Sequence, residues 1–84
     1  MAGKYEPLTS HLAALAEAGR EDVELDFVEI ADMVGGLPPT AYRWQAWWDN
    51  DASGTHTQAR AWRGAGWAVA KVDLAGQSVS FTRA

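Results

Sequence analysis

Tyr5, Leu8, Leu12 and Leu15 recur at spacings of three and four residues, which marks one apolar face of a helix. Pro7 suits the first turn of that helix, where its missing N–H costs nothing, and Gly19 suits its end. Arg20-Glu21-Asp22 reads as a polar connector. Val23, Leu25 and Phe27 then alternate with Glu24 and Asp26, the pattern of a short half-buried strand. Asp26 followed three residues later by Glu29 is a capping pattern. Ile30, Met33 and Val34 continue at helical spacing up to Gly35-Gly36, which predicts a short helix over about 27–34.

All five tryptophans fall within residues 37–67. Leu37-Pro38-Pro39-Thr40 forms an extended turn, since proline biases its predecessor away from the helix yet is welcome at a helix start. A third helix is predicted from Ala41 to Trp48, with Trp44, Trp47 and Trp48 sharing one face. Asp49-Asn50-Asp51 ends it, and Ala52-Ser53-Gly54 reads as a loop. Thr55-His56-Thr57-Gln58 fits a capping box with Thr55 at the cap. The short helix it opens, at 56–64, buries Ala59 and Trp62 and closes on Gly64 and Gly66. Trp67 to Leu74 alternates, with Ala68, Ala70, Val72 and Leu74 assigned to one face. Ala75-Gly76-Gln77 turns the chain into a returning strand, where Val79 and Phe81 alternate with Ser78, Ser80 and Thr82.

The order is helix, strand, helix, helix, short helix, hairpin. It predicts a single α+β domain over residues 1–84, winged helix-turn-helix-like. Three to four short helices accompany a small antiparallel sheet made of Val23–Phe27 and the C-terminal β-hairpin. A plain α+β domain, with helices on one face of a three-stranded antiparallel sheet, fits the same order.

Composition sharpens this picture in two ways. A chain of 84 residues buries only roughly 60% or slightly more of its unfolded surface. It has no cysteine and hence no disulfide or thiolate metal site. Its two histidines, His11 and His56, are far apart, which argues against structural zinc. Tryptophans, each burying ~150–250 Å², are the expected substitute. No apolar run approaches the ~20 residues of a membrane span, and MAGKYEPL lacks the apolar core of a signal peptide, so a cytoplasmic protein is expected. Secondly, charge is segregated. Residues 1–42 carry two basic residues against eight acidic ones, and residues 43–84 carry five against three. Such asymmetry concerns association with partners or an ordinary solvated surface.

At the tryptophan-rich stretch the chain resembles a family of small, functionally uncharacterised domains of bacteria and phages. Its matching pieces are Tyr5-x-Pro7-Leu8, Leu25-x-Phe27-x-x-Ile30, Leu37-Pro38 with Ala41, and Trp47-Trp48-x-Asn50. Gln58-Ala59-x-Ala61-Trp62, Ala65-Gly66-Trp67 and Val79-x-Phe81-x-Arg83 complete them. The resemblance spans almost the whole chain and implies a self-contained module, with no activity attached.

Catalytic patterns are missing. Gly35-Gly36 and Gly64-x-Gly66 lack the rest of a phosphate loop, no motif supports a serine triad, and Asp49 and Asp51 read as turn formers. No enzyme, metal or cofactor is expected. Binding of double-stranded DNA through the C-terminal half is the leading expectation. Either 40–49 or 56–64 would be the reading helix. Arg43, Asn50, Gln58, Arg60 and Arg63 offer guanine- and adenine-reading chemistry, and Lys71, Gln77 and Arg83 on the hairpin would reach phosphates. Each has a plainer role. Gln58 also closes its own capping box, Asn50 also ends a helix, and Arg60 and Arg63 also stack on Trp62 or Trp67. The tryptophans are expected in the core, with Trp48 the one expected to be partly exposed. The competing expectation is a protein-interaction module, an adaptor or inhibitor, that uses the acidic run from Glu17 to Asp32. Homodimerisation through the first helix is compatible with either.

Overall fold

The computed structural model describes residues 3–51 and 56–84. Helix α1 (Glu6–Glu17) has proline in its first turn and buries Leu8 and Leu12, with Tyr5 and Leu15 half-buried beside them. Strand β1 (Asp22–Asp26) buries Leu25. The border with helix α2 (Phe27–Val34) is set by a capping box, in which the Asp26 backbone N–H donates to the Glu29 carboxylate at 3.1 Å. Phe27, which also fits the strand alternation, therefore opens the helix and is buried with Ile30 and Val34. Gly35 ends α2 in the left-handed region at φ 78°, where a β-carbon would be penalised. The Lys4 ammonium donates to the Val34 carbonyl at 3.0 Å, placing a cation at the negative end of the helix.

The predicted third helix is broken. Helix α3 covers only Pro39–Arg43, Trp44 is extended at φ −121° and ψ 117°, and a 3₁₀ turn follows at Gln45–Trp48. Consequently Trp44, Trp47 and Trp48 do not share a face. Trp48 is buried at 1% exposure and Trp44 is the exposed one at 64%, the reverse of the sequence expectation. The break has a packing reason. It turns Trp48 back over α3, where its indole N–H donates to the Ala41 carbonyl at 2.8 Å. There its ring stacks on Phe27 at 4.9 Å and lies near-parallel to Trp62 at 6.0 Å. A continuous helix would leave that slot empty.

Helix α4 (Thr57–Gly64) buries Ala59, Ala61 and Trp62. Its cap is His56, with no side-chain cap bond, rather than the expected Thr55, and Gln58 donates to the Trp47 carbonyl instead of closing a capping box; Thr55 and the loop Ala52-Ser53-Gly54 lie outside the described residues. Strands β2 (Trp67–Asp73) and β3 (Ser78–Arg83) form the hairpin. The sheet order is β1-β3-β2, antiparallel throughout. Val69 pairs with Phe81 but Lys71 with Ser80, so Ala70 is a bulge residue. The single alternating face assigned to Ala68, Ala70, Val72 and Leu74 is therefore wrong in its first half. Trp67 and Val69 claim the core side because they are the larger side chains, and the extra residue restores Val72 to that side opposite Val79.

Directly paired residues share a sheet face. The core face thus carries Val23, Leu25, Val79, Phe81, Trp67, Val69 and Val72. Trp62 of α4 meets Phe81 on that face at 5.7 Å, which sets the helices on that side. The opposite face carries Asp22, Glu24 and Asp26 on β1, serines and a threonine on β3, and Lys71 and Asp73 on β2. Among the described residues, no helix is long and apolar enough to cross a membrane.

Truncating Trp62, fully buried between Trp48 and Phe81, is expected to cost roughly 3–5 kcal/mol. Urea denaturation of Trp62→Ala should show this loss or complete unfolding. Wild-type stability would mean that the ring is not part of the core.

Candidate nucleic-acid interface

The α3 corner is where side chains with recognition chemistry meet solvent. Ala41 alone anchors α3 in the core. Thr40, Tyr42, Arg43, Trp44 and Gln45 are exposed. The backbone of the corner is hydrogen-bonded on both sides of Trp44. The Trp44 N–H donates to the Thr40 carbonyl at 3.0 Å and the Trp44 carbonyl accepts from the Trp47 N–H at 3.1 Å. Tyr42 braces it from below, edge-on to Phe27 at 5.6 Å.

Asn50 has a different task from the one its chemistry invites. Its Nδ2 donates to the Val69 carbonyl at 2.9 Å, and its Oδ1 accepts from the Val69 N–H at 2.7 Å. The same Oδ1 accepts from the Trp62 indole N–H at 3.0 Å. The pairing follows from sheet topology. Just before β2 the Gly66 carbonyl accepts from the Ala84 N–H that follows β3. By alternation the polar groups of Val69 face away from β3. They form part of an open sheet edge, which the asparagine amide covers as a short strand would. Gln58 is likewise committed, its Nε2 donating to the Trp47 carbonyl at 3.2 Å. Both amides are thus engaged with backbone groups. Sequence spacing gave no sign of the Asn50 bond to Val69, which joins residues 19 apart.

The basic side chains are distributed over several surfaces. Arg43 is at the end of α3, and Arg60 and Arg63 are exposed on α4. Arg60 borders an open cavity of about 670 Å³ between α4 and the start of α1, shared with Lys4, Tyr5, Glu6, Thr9 and Thr57. Burial pushes the Tyr5 hydroxyl above its ordinary pKa there. The Thr9 hydroxyl is spent on the Ala61 carbonyl at 3.0 Å, tying α1 to α4. Lys71 projects from the opposite side of the sheet, in register with Ser80 and Glu24. Gln77 is in the hairpin turn at φ 53°, and its carbonyl accepts the Phe27 N–H. Arg83 stacks over Trp67 at 5.7 Å; this cation–π role was expected of Arg60 or Arg63. The eight residues picked from the sequence therefore divide: Arg43 with α3, Arg60 and Arg63 with α4, and the hairpin residues elsewhere. Trp44, the most exposed tryptophan, was missed. Its signal was the Arg-Trp-Gln triplet placed just before the Trp47-Trp48 pair. Among the described residues, no three histidine or acidic side chains converge as a metal site would require.

A family model described as a domain of unknown function (DUF7662) matches residues 5–84. No curated protein and no solved structure shows detectable similarity to the chain.

Asn50→Ala is expected to destabilise the fold by about 1–3 kcal/mol, the cost of stranding the buried Trp62 N–H; Val69 at the exposed edge can turn to water. Chemical denaturation of the variant measures this. An unchanged midpoint would show that the amide bonds contribute nothing to stability.

Proposed function

The chain belongs to the DUF7662 family of domains of unknown function, and we propose that it binds DNA as a small, non-enzymatic, winged-helix-like module. The observation that carries this reading is the unit formed by α2, a four-residue turn and α3. Two helices joined by a three- to four-residue turn that contains glycine are the parts of a helix-turn-helix. The unit sits within a helix–strand–helix–helix order that continues through the 3₁₀ turn and α4, one helix more than the simplest winged helix carries, to the hairpin, and the sheet is ordered β1-β3-β2. In a helix-turn-helix the second helix enters the major groove by its N-terminal residues. Here that helix exposes Thr40 in its first turn and Arg43 at its last position, and arginine pairs bidentately with guanine.

The geometry also redraws the contact set. Arg43 reads bases, and Arg60 and Arg63 on α4 hold phosphates. Asn50 and Gln58 drop out because their amides serve the backbone. Lys71 and Gln77 become secondary, since the hairpin end nearest them carries Asp26 and Asp73 in register with Ser78, and Arg83 does because it lies over Trp67 at the other end of the strand. Those carboxylates repel the phosphates a wing would grip. The same acidic sheet face, with Asp22 and Glu24, favours a second reading, an interaction module for a basic protein partner.

Fluorescence anisotropy with pooled random duplex DNA at two salt concentrations separates the two readings. Binding should weaken with salt by a log–log slope of about −0.9 per phosphate neutralised. Arg60→Ala combined with Arg63→Ala should reduce that slope by roughly 2 without unfolding the protein. Arg43→Ala should cost about 1–3 kcal/mol on a preferred sequence and relax its specificity. A folded protein with no affinity for DNA at low salt contradicts the reading.

A further inference from the structure

The cavity of about 670 Å³ between α4 and the start of α1 falls within the ~300–1,000 Å³ of small-molecule sites. It stays open because part of its wall is small. Ala61 and Gly64 add little bulk, and a β-carbon placed on Gly64 would meet no atom within 4 Å. The two helices that flank it are tied together by the bond from the Thr9 hydroxyl to the Ala61 carbonyl at 3.0 Å.

Two cations border this space, Lys4 and Arg60, against one carboxylate, Glu6. The site is therefore locally positive in a chain of net charge −4. The Lys4 ammonium is held in place. It donates to the Val34 carbonyl at 3.0 Å and lies 5.9 Å from the centre of the Tyr5 ring. An ammonium has further N–H donors beyond the one spent on Val34. Elsewhere the arginines are engaged, Arg20 with the Asp22 carbonyl and Arg83 with the Trp67 ring. The Arg60 guanidinium has no partner among the described residues, so its planar fork of donors is free. Tyr5 and Thr57 bring hydroxyls to the same wall. Burial raises the Tyr5 pKa, which keeps that hydroxyl protonated and able to donate.

This set of donors suits one charged centre that carries several acceptor oxygens. A phosphate group has three such oxygens and a charge of about −1.5 to −2 at neutral pH, and guanidinium and ammonium groups both bind it. We propose that the cavity is a phosphate-binding site, in which Lys4 and Arg60 balance the charge and Thr57 and Tyr5 donate to the remaining oxygens. The phosphate belongs to a small phosphorylated molecule within the cavity or to a nucleic-acid backbone across its mouth. Both present the same chemistry, and the site stands without the DNA-binding reading above.

The test follows the backbone amide signals of the nitrogen-15-labelled protein by NMR. The probes are inorganic phosphate, ribose 5-phosphate and a duplex of about 12 base pairs, with sodium chloride at matched ionic strength as the control. Saturable shifts are expected at residues 4–9 and along α4 with a phosphate-bearing probe and not with chloride. Lys4→Gln and Arg60→Gln should each weaken that binding roughly tenfold or more, the weight of a hydrogen bond to a charged group, whereas Lys4→Arg should retain most of it. Arg60→Gln carries the test if Lys4→Gln, which also loses the bond to Val34, fails to fold. Saturation by ribose 5-phosphate identifies a small ligand and saturation by duplex alone identifies a backbone phosphate; either supports the proposal. Equal shifts with chloride, no saturation by any phosphate probe, or binding unchanged in Arg60→Gln overturns it. Duplex binding that shifts α3 and spares residues 4–9 also overturns it and leaves the DNA-binding reading standing. Saturation by ribose 5-phosphate without any duplex binding supports this site and removes that reading.

Discussion

One asparagine side chain closes two problems that this fold creates together. β2 is an edge strand, and its outward N–H and C=O at Val69 have no strand to pair with. α4 packs Trp62 into the core, and its buried indole N–H needs an acceptor. The Asn50 amide answers both, with Nδ2 and Oδ1 on Val69 and the same Oδ1 on Trp62. It ties the segment after the 3₁₀ turn, α4 and the sheet into one unit. An aspartate there would lose the donor, and a glutamine would place the amide one carbon too far.

Around that clamp the core is built from aromatic rings rather than aliphatic layers. A chain this short, without disulfides, has to bury a large area per residue. Tryptophan supplies the area but brings an N–H that must be satisfied. Three buried indoles solve this in three different places. Trp48 donates to Ala41, Trp62 to Asn50, and Trp67 to Leu12 at 2.9 Å. Each bond joins different parts of the chain, α3 to the 3₁₀ turn, α4 to Asn50 in the segment before it, and β2 to α1. Among the described residues no buried side-chain nitrogen or oxygen lacks a partner. The polar handles of the tryptophans thus fix which segments meet, while their rings supply the burial.

Local chemistry made much of the fold legible. α1 followed from Tyr5, Leu8, Leu12 and Leu15, and α2 from the Asp26–Glu29 box and Gly35. The hairpin strands followed from Val79 and Phe81. Two features were hidden because long-range contacts decide them. The helix break at Trp44 is imposed by the slot between Phe27 and Trp62 that Trp48 fills, and nothing in Ala41–Trp48 read alone disfavours a helix. The bulge at Ala70 arises because Trp67 and Val69 must both face the core, whereas small alanines allow either phase. The surface was legible by residue type only. Arginine and amide side chains were easy to pick out, but their commitments were not: Asn50 and Gln58 bind backbone far along the chain, and Arg83 rests on Trp67. Trp44 was overlooked because helical periodicity grouped it with its buried neighbours.

Exchange of the indole and Val69 N–H protons, followed by NMR, tests the clamp most directly. The account predicts that the indole N–H signals of Trp48, Trp62 and Trp67 exchange only through global or near-global opening and that the Val69 amide is protected although its edge is exposed, whereas the Trp44 indole exchanges freely. Rapid exchange at Trp62 and Val69 in an otherwise protected protein would contradict it. The Asn50 amide would then not hold α4 to the sheet.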